Sequence, residues 1–352
     1  MAIIDKPSVF MNTVLYTGNS GSGDNVVNVN FQPDFTWFKS RTQAYPSYLI
    51  DAVRGDEKYL NSSNNNAEAS WGVDDVTWTS TGFTLNTTGG SGINEGGQGA
   101  NNMVAWNWKA GTSVSGDTTG SGTLKTYTGS VNTTSGFSII KYTGNGTAGH
   151  TIPHHLGVAP SAIFVKKLNE LGDWSSYHSV LGNAGYMRLN NTNAFATAST
   201  YWNNTSPTSS VFTTGTTGNI NGSGSTYIAY CFAEKQGYSK FGSYTGNGST
   251  DGTFIYTGFK PAFVMIKKTS GTGSWYIYDN KRDVSNAMTR NLFPDGNYVE
   301  DNNTNNDLDF LSNGFKIRTV SGARNASGAT YIYMAFAENP FVASNFVPAT
   351  AR

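Results

Sequence analysis

Short apolar runs recur along this chain, and none is long enough for a three-turn amphipathic helix. The segments "PDFTWFK", "PSAIFVK" and "PAFVMIK", beginning at Pro33, Pro160 and Pro261, are β-branched and aromatic. Each opens on proline, where a missing N–H donor does least harm to a strand. One face carries Phe35, Trp37 and Lys39, matched by Ala162, Phe164 and Lys166 and by Phe263, Met265 and Lys267. The other carries Thr36 and Phe38, Ile163 and Val165, or Val264 and Ile266. Two apolar faces predict an inner strand covered on both sides. A second set of runs, "MVAWNWKA", "YIAYCFAE" and "YIYMAFAE", splits by parity into a bulky side (Trp106 and Trp108; Tyr230 and Phe232; Met334 and Phe336) and a smaller side (Ala229, Cys231 and Ala233; Ala335 and Ala337). The expectation is that the bulky side fills the interior of a sandwich and the small side admits a close neighbour. The pattern predicts an all-β chain of tandem antiparallel β-sandwich modules, jelly-roll or lectin-like.

These runs sit at fixed distances from a repeated word. "YTGN" occurs at Tyr16, Tyr142 and Tyr244, and the prolines follow 17, 18 and 17 residues later. Six residues beyond each proline stands Lys39, Lys166 or Lys267, and twelve beyond that Asp51, His178 or Asp279. Phe83, Phe212 and Phe315 come later, and "NGSGST" and "NASGAT" precede the last two closing runs. So many shared offsets imply three internal repeats. They divide the chain into an arm (1–7), repeat 1 (8–110), a Gly/Ser/Thr-rich linker or loose strand (111–135), repeat 2 (136–235), repeat 3 (236–342) and a second arm (343–352). Repeats 2 and 3 should touch, with repeat 1 further off. The two arms could dock on neighbouring subunits, or fray. A hairpin centred near Gly271 sets Lys267 opposite Trp275 and leaves Asp279 too far along the ladder for a salt bridge with that lysine. In repeat 1, Ser47 and Tyr48 stand where the tryptophan would be.

Charge changes the picture by subtraction. Lys+Arg and Asp+Glu number 23 each, and only 13% of residues are charged. That gives no electrostatic footprint for nucleic acid or an anionic membrane surface, and no run is long enough to span a bilayer. So sparse a charge favours assembly, and a homo-oligomer is expected. Cys231, the lone cysteine, sits in an apolar run and reads as a buried thiol.

Candidate chemistry thins out on inspection. "GNGTAG" is a literal G-x-G-x-x-G (Gly144, Gly146, Gly149), but Pro153 follows where a dinucleotide site needs a helix, so it reads as a turn and no cofactor is expected. His150, His154, His155 and His178 all fall in repeat 2, three of them on one loop, and no metal is expected there. An acidic loop with Asp295, Glu300, Asp301, Asp307 and Asp309 lacks EF-hand spacing and reads as solvated. Nucleophile motifs are missing, and no catalytic residue and no enzyme are expected. A carboxylate pair of the glycosidase kind would need two acids per module, whereas only Asp51 and Asp279 recur. Binding remains. Trp174, Tyr201, Trp202 and Trp275 are the candidate ligand-binding residues, as exposed rings on a sandwich rim. The competing reading is that these rings cap small cores.

The strings "VLYTGN", "FQPDFTWFKSR", "GFSIIKYTGNG", "WNNTSPTSSVF", "GFKPAFVMIKKT" and "NASGATYIYMAFAENPF" together resemble a domain of unknown function found in virion-associated proteins of marine tailed phages, over about residues 8–342. The resemblance implies a virion structural protein, of the kind labelled tail fibre, and carries over no catalytic residue. The expectation is a non-enzymatic adhesin on the particle surface, made in the host cytoplasm. Its partners would be other virion proteins and a host-surface glycan. The alternative is a capsid decoration protein, and a third reading is a polysaccharide-degrading virion enzyme.

Overall fold

The computed structural model describes residues 3–71, 75–86, 92–95, 101–302 and 308–342. It is almost entirely β. The first third forms β1 (Met11–Thr17), β2 (Asn25–Asn28), β3 (Phe35–Ser40), β4 (Tyr48–Asp51), β5 (Gly55–Asn61), β6 (Ala69–Ser70), β7 (Val76–Thr79), β8 (Gly82–Leu85) and β9 (Asn102–Trp108). Then come β10 (Thr112–Asp117), β11 (Thr119–Gly120) and β12 (Thr126–Asn132). The middle holds β13 (Phe137–Thr143), β14 (His150–Pro153), β15 (Ala162–Lys167), β16 (Ser175–His178), β17 (Gly185–Tyr186) and β18 (Ala196–Thr197). It continues with the one-turn helix α1 (Ser199–Trp202), β19 (Val211–Thr214), the one-turn helix α2 (Gly218–Asn221) and β20 (Thr226–Phe232). The last third adds β21 (Ser239–Thr245), β22 (Phe254–Tyr256), β23 (Phe259–Lys268), β24 (Trp275–Asp279), β25 (Leu308–Leu311), β26 (Gly314–Ile317), the one-turn helix α3 (Gly322–Asn325) and β27 (Thr330–Pro340).

One strand order appears three times: β1-β9-β3-β4, β13-β20-β15-β16 and β21-β27-β23-β24, antiparallel throughout. We call the structures around these sheets the first, second and third units. A small second sheet covers each: β2-β8-β7, β11-β14-β19 and β22-β26-β25. The proline offset lands at one register position. Phe35, Ala162 and Phe263, each two residues past its proline, pair with Trp108, Phe232 and Phe336 on one side and with Asp51, His178 and Asp279 on the other. Both faces of β3 and β15 are buried along their whole length, as their composition predicts.

Three expectations are corrected. First, the two faces of the main sheets are reversed. The bulky faces (Trp106 and Trp108, Tyr230 and Phe232, Met334 and Phe336) belong to one core shared by all three units. The small faces, with Ala105, Cys231 and Ala335, lie in the separate sandwich interiors under Phe83, Phe212 and Phe315. The physical reason is volume. A large phenylalanine from the cover sheet leaves room only for small partners beneath it, whereas the space where three sheets converge must be filled by large rings.

Second, the first unit is not remote. Phe35 lies 4.4 Å from Tyr230, and Trp108 lies 6.1 Å from Phe232, 5.7 Å from Phe263 and 5.6 Å from Phe336 between ring centroids. Third, of the two readings of segment 111–135, the structure shows strand rather than linker. Although polar and rich in Gly and Ser, the segment supplies β10 and β12 to the edge of the second main sheet and β11 to the second cover sheet. The N-terminal arm docks on its own chain: Ile4 joins the shared core, and its N–H donates to the Gln236 carbonyl at 3.5 Å. Residues 343–352, the other arm, lie outside the described residues.

Candidate functional site

The repeated word is a lock between the turn that leaves the main sheet for the cover sheet and the turn that precedes the closing strand. Tyr16, Tyr142 and Tyr244 each donate a hydroxyl hydrogen bond of 2.7 Å, to the carbonyls of Ile93, Ile220 and Arg324. The backbone N–H groups of Asn19, Asn145 and Asn247 donate to the side-chain oxygens of Asn94, Asn221 and Asn325 at 3.2, 3.0 and 2.9 Å. The glycine between them is steric: a Cβ on Gly18, Gly144 or Gly246 would stand 2.6, 2.5 or 2.4 Å from a backbone oxygen of that opposing turn. The residues after Gly149 form the strand β14 rather than a helix, as the turn reading of "GNGTAG" requires.

The recurring lysines tie the units into a closed cycle. Lys39 in the first unit donates to the carbonyl of Gly296 in the third at 3.0 Å. Lys166 in the second donates to Asn65 in the first at 3.4 Å, and Lys267 in the third donates to Thr192 in the second at 3.0 Å. Each ammonium has a second carbonyl in its own unit, on Tyr45, Lys167 and Gly273. All three lysines are essentially inaccessible. Burial pushes Lys39 down to about 7 and Lys166 and Lys267 down to about 8. Lys267 also stands opposite Trp275 in the register, 5.9 Å from the ring centroid.

The residues twelve beyond the lysines tie the same seams again. Asp51 accepts from the Tyr230 hydroxyl of the second unit at 2.7 Å, and Asp279 accepts from Trp106 Nε1 of the first at 3.0 Å. His178 donates from Nε2 to the Tyr333 carbonyl of the third at 3.2 Å. The two aspartates are held by Arg54 and Arg282, three residues on, at 2.5 Å with no side-chain exposure. Sequence reasoning passed over these arginines. The signal was legible as Asp-x-x-Arg in "DAVR" and "DNKR".

The four candidate ligand-binding residues are interior, not rim. Trp174 is 0% exposed, Trp202 1%, Trp275 3% and Tyr201 5%. Trp174 Nε1 donates to the Asn61 carbonyl at 2.8 Å, and Trp275 Nε1 donates to that of Arg188 at 2.9 Å, so each indole reaches into another unit. Tyr201 stacks on Tyr186 at 3.7 Å, and Trp202 lies edge-on to Tyr177 and Phe212. Exposure was inferred from ring type and nearby polar loops. The burial of Trp174 and Trp275 follows from the units closing on one another, which no local pattern reports, whereas Tyr201 and Trp202 fill the second unit's own sandwich interior, as the core-capping reading has it.

The histidines do not converge. His150 bridges Asn221 and Thr118, His155 meets the Tyr127 hydroxyl at 2.7 Å, and His154 donates to the Thr208 carbonyl at 3.1 Å. Burial holds His154 and His178 down at about 4. In the acidic loop, Asp295 accepts from the Trp275 N–H at 3.0 Å, Glu300 pairs with Arg41 and Arg282, and Asp309 pairs with Arg318. Asp301 Cα pairs with Asn291 in an isolated bridge, and Asp307 lies outside the described residues. Among the described residues no group of three or more His, Cys, Asp or Glu is placed to hold a metal ion. Burial pushes the Cys231 thiol up to about 12. Among the described residues no helix is long and apolar enough to cross a membrane.

Two clefts and the outer faces of the cover sheets are open to solvent. A cleft of about 390 Å³ beside β10 and β12 is lined by Asp34, Val53, Ser113 and Ser130. Asp34 accepts there from the Ala110 N–H at 2.9 Å, and its burial raises that carboxyl's pKa. A second cleft, of about 510 Å³, lies where the second unit passes into the third, between residues 234–240 and 256–258. On the cover sheets, the register pairs Val27, Ile152 and Ile255 with Phe83, Phe212 and Phe315. The outward neighbours at those places are Val26 and Asn28, Thr151 and Pro153, and Phe254 and Tyr256. Comparison with curated proteins and with solved structures returns no match. A family model for a domain of unknown function, DUF7483, matches residues 6–340, and the chain belongs to that family.

Proposed function

We propose that this chain is a non-enzymatic protein of the outer surface of a bacteriophage particle, a tail-appendage adhesin that contacts the host surface. The observation that carries the reading is a division of labour. The residues that recur at fixed offsets are spent on the fold itself: tyrosine and asparagine on the turn locks, lysine and aspartate or histidine on the buried seams. The outward positions of the cover sheets differ from unit to unit. Constant structural contacts with varied outward positions are the organisation of a scaffold that displays recognition surfaces. The likeness to virion-associated phage proteins supports the location. The partners in this reading are other virion proteins, further copies of the chain and a host-surface glycan.

A second reading, capsid decoration, is favoured by the closed cycle of seams, because three units around one core make a self-contained body suited to seating on a shell. Immunogold labelling of purified particles separates the two. Label on the tail with adhesion of fluorescent protein to host cells is the expected result. Label on the head shell supports decoration, and label on neither overturns both. Release of reducing sugar from host polysaccharide would overturn the non-enzymatic reading.

A further inference from the structure

The third unit is unlike the other two on the outside of its cover sheet. β22 turns Phe254 and Tyr256 to solvent, 44% and 58% exposed, where the first unit has Val26 and Asn28 and the second Thr151 and Pro153. Two neighbouring rings in water give up favourable burial unless something covers them. Gly258 has φ +80°, and a Cβ there would lie 3.6 Å from the Tyr256 hydroxyl and 3.8 Å from two ring carbons. The glycine thus keeps this side of the ring free of a side chain, and Tyr256 stays 58% exposed.

Tyr256 also forms one wall of the cleft of about 510 Å³, opposite Glu234, Gln236, Ser239 and Lys240. Its polar wall is pre-arranged. One carboxylate oxygen of Glu234 accepts from Lys240 at 2.6 Å and the other from the Phe241 N–H at 3.4 Å. Both members of the ion pair keep 38% side-chain exposure, so they can still reach a ligand. The segment that carries this wall is anchored in the core by Tyr238, which is fully buried 5.4 Å from Phe336. A cleft of this volume is in the range of small-ligand sites. An open aromatic face beside fixed, hydrogen-bonding charged groups matches a ring with an apolar C–H side and a rim of hydroxyls.

We propose that this cleft binds a pyranose unit of a surface polysaccharide, which deepens and rests on the adhesin reading above. Tyr256 stacks on the C–H side of the sugar. Glu234, Lys240 and Gln236 bond its hydroxyls. Phe254, two residues along the same strand face, extends the platform to the next sugar of the chain.

The test uses the full chain, with Tyr256→Ala, Glu234→Gln and, as a control on an exposed position of the first unit, Val26→Ala. Saturation-transfer NMR with the methyl glycosides of glucose, galactose, mannose and N-acetylglucosamine at millimolar concentration is paired with an array of bacterial capsular and lipopolysaccharide glycans. The expected result is transfer to the ring C–H protons of at least one sugar by wild type and Val26→Ala. Tyr256→Ala should weaken binding at least tenfold and Glu234→Gln should weaken it measurably, both with unchanged thermal midpoints. Wild-type binding that survives Tyr256→Ala overturns this site and leaves adhesion standing. Failure of wild type to bind any of these sugars also overturns the site. Adhesion is then decided by labelled protein on host cells: attachment without sugar binding keeps it, and no attachment removes both.

Discussion

Trp108 is the side chain that most directly couples the three units. Its ring meets Phe35 of its own unit at 5.4 Å, Phe232 of the second at 6.1 Å, and Phe263 and Phe336 of the third at 5.7 and 5.6 Å. Its exposure is 1%, so Trp108→Ala opens a cavity in the shared core. Substitutions of this kind cost about 3–5 kcal/mol. How that loss appears depends on what unfolds together. If the whole chain of 352 residues melts as one body, an unfolding entropy of about 2.1 cal/mol/K per residue converts the loss into a drop of about 4–7 °C. If a unit of about 100 residues melted alone, the same loss would lower that unit's transition by about 14–24 °C and leave the others in place. Differential scanning calorimetry, with hydrogen exchange read separately over the three units, distinguishes the cases. The shared core predicts one transition, shifted by the smaller amount, with exchange accelerated in all three units. A large shift confined to residues of the first unit would refute it.

Other expectations follow from the seams and locks. The three seam lysines have folded pKa values below the unfolded value near 10.5, so the unfolded chain binds more protons between about pH 7 and 10. Stability should therefore rise across that window by several kcal/mol, as measured by urea midpoints. It should fall again beyond about pH 10, where the buried tyrosines, whose pKa values burial raises, ionise in the unfolded chain first. Towards acid, His154 and His178 should cost stability from about pH 6.5 down to 4, because only the unfolded chain protonates them freely. Gly144→Ala should destabilise by about 1–3 kcal/mol in the same assay, since its Cβ would stand 2.5 Å from the Gly222 carbonyl oxygen. Arg324→Ile should be neutral or stabilising in thermal melts. Arg324 is 2% exposed, and its guanidinium lies over the Tyr276 ring at 4.1 Å and bonds Ser321 through one nitrogen at 3.2 Å. Its Nε and Nη1 have no hydrogen-bond partner among the described residues, a desolvation cost that offsets those contacts. The other two turn locks have Ile93 and Ile220 in its place.

Much of the fold was legible because it is local. Period-two patterning placed β3, β15 and β23, and the offsets from proline landed at one register position in all three sheets. The opposition of Lys267 and Trp275 followed from hairpin counting. Orientation was not legible. A strand with two apolar faces does not say which face meets its own cover sheet and which meets another unit, and reading bulk as "sandwich interior" put Trp106 and Tyr230 on the wrong side. The same blindness made Trp174 and Trp275 look like rim residues, because their indole N–H partners, Asn61 and Arg188, come from units far away in sequence. The open aromatic pair was missed for the opposite reason: Phe254 and Tyr256 sit in a short strand whose alternation looks ordinary until the register shows what stands at those places in the other units.

The claim on which all of this depends is that the first and third units meet. Ser63 and Asn297 are joined by a surface hydrogen bond of 2.6 Å across that seam, although 234 residues separate them. The native Cys231 is fully buried and will not compete. In a Ser63→Cys/Asn297→Cys chain treated with a short bis-maleimide, the account predicts a monomeric product whose digest contains the two peptides covalently linked. Two thiols that each react with a monofunctional maleimide, yet never link to one another within a single chain, would contradict it.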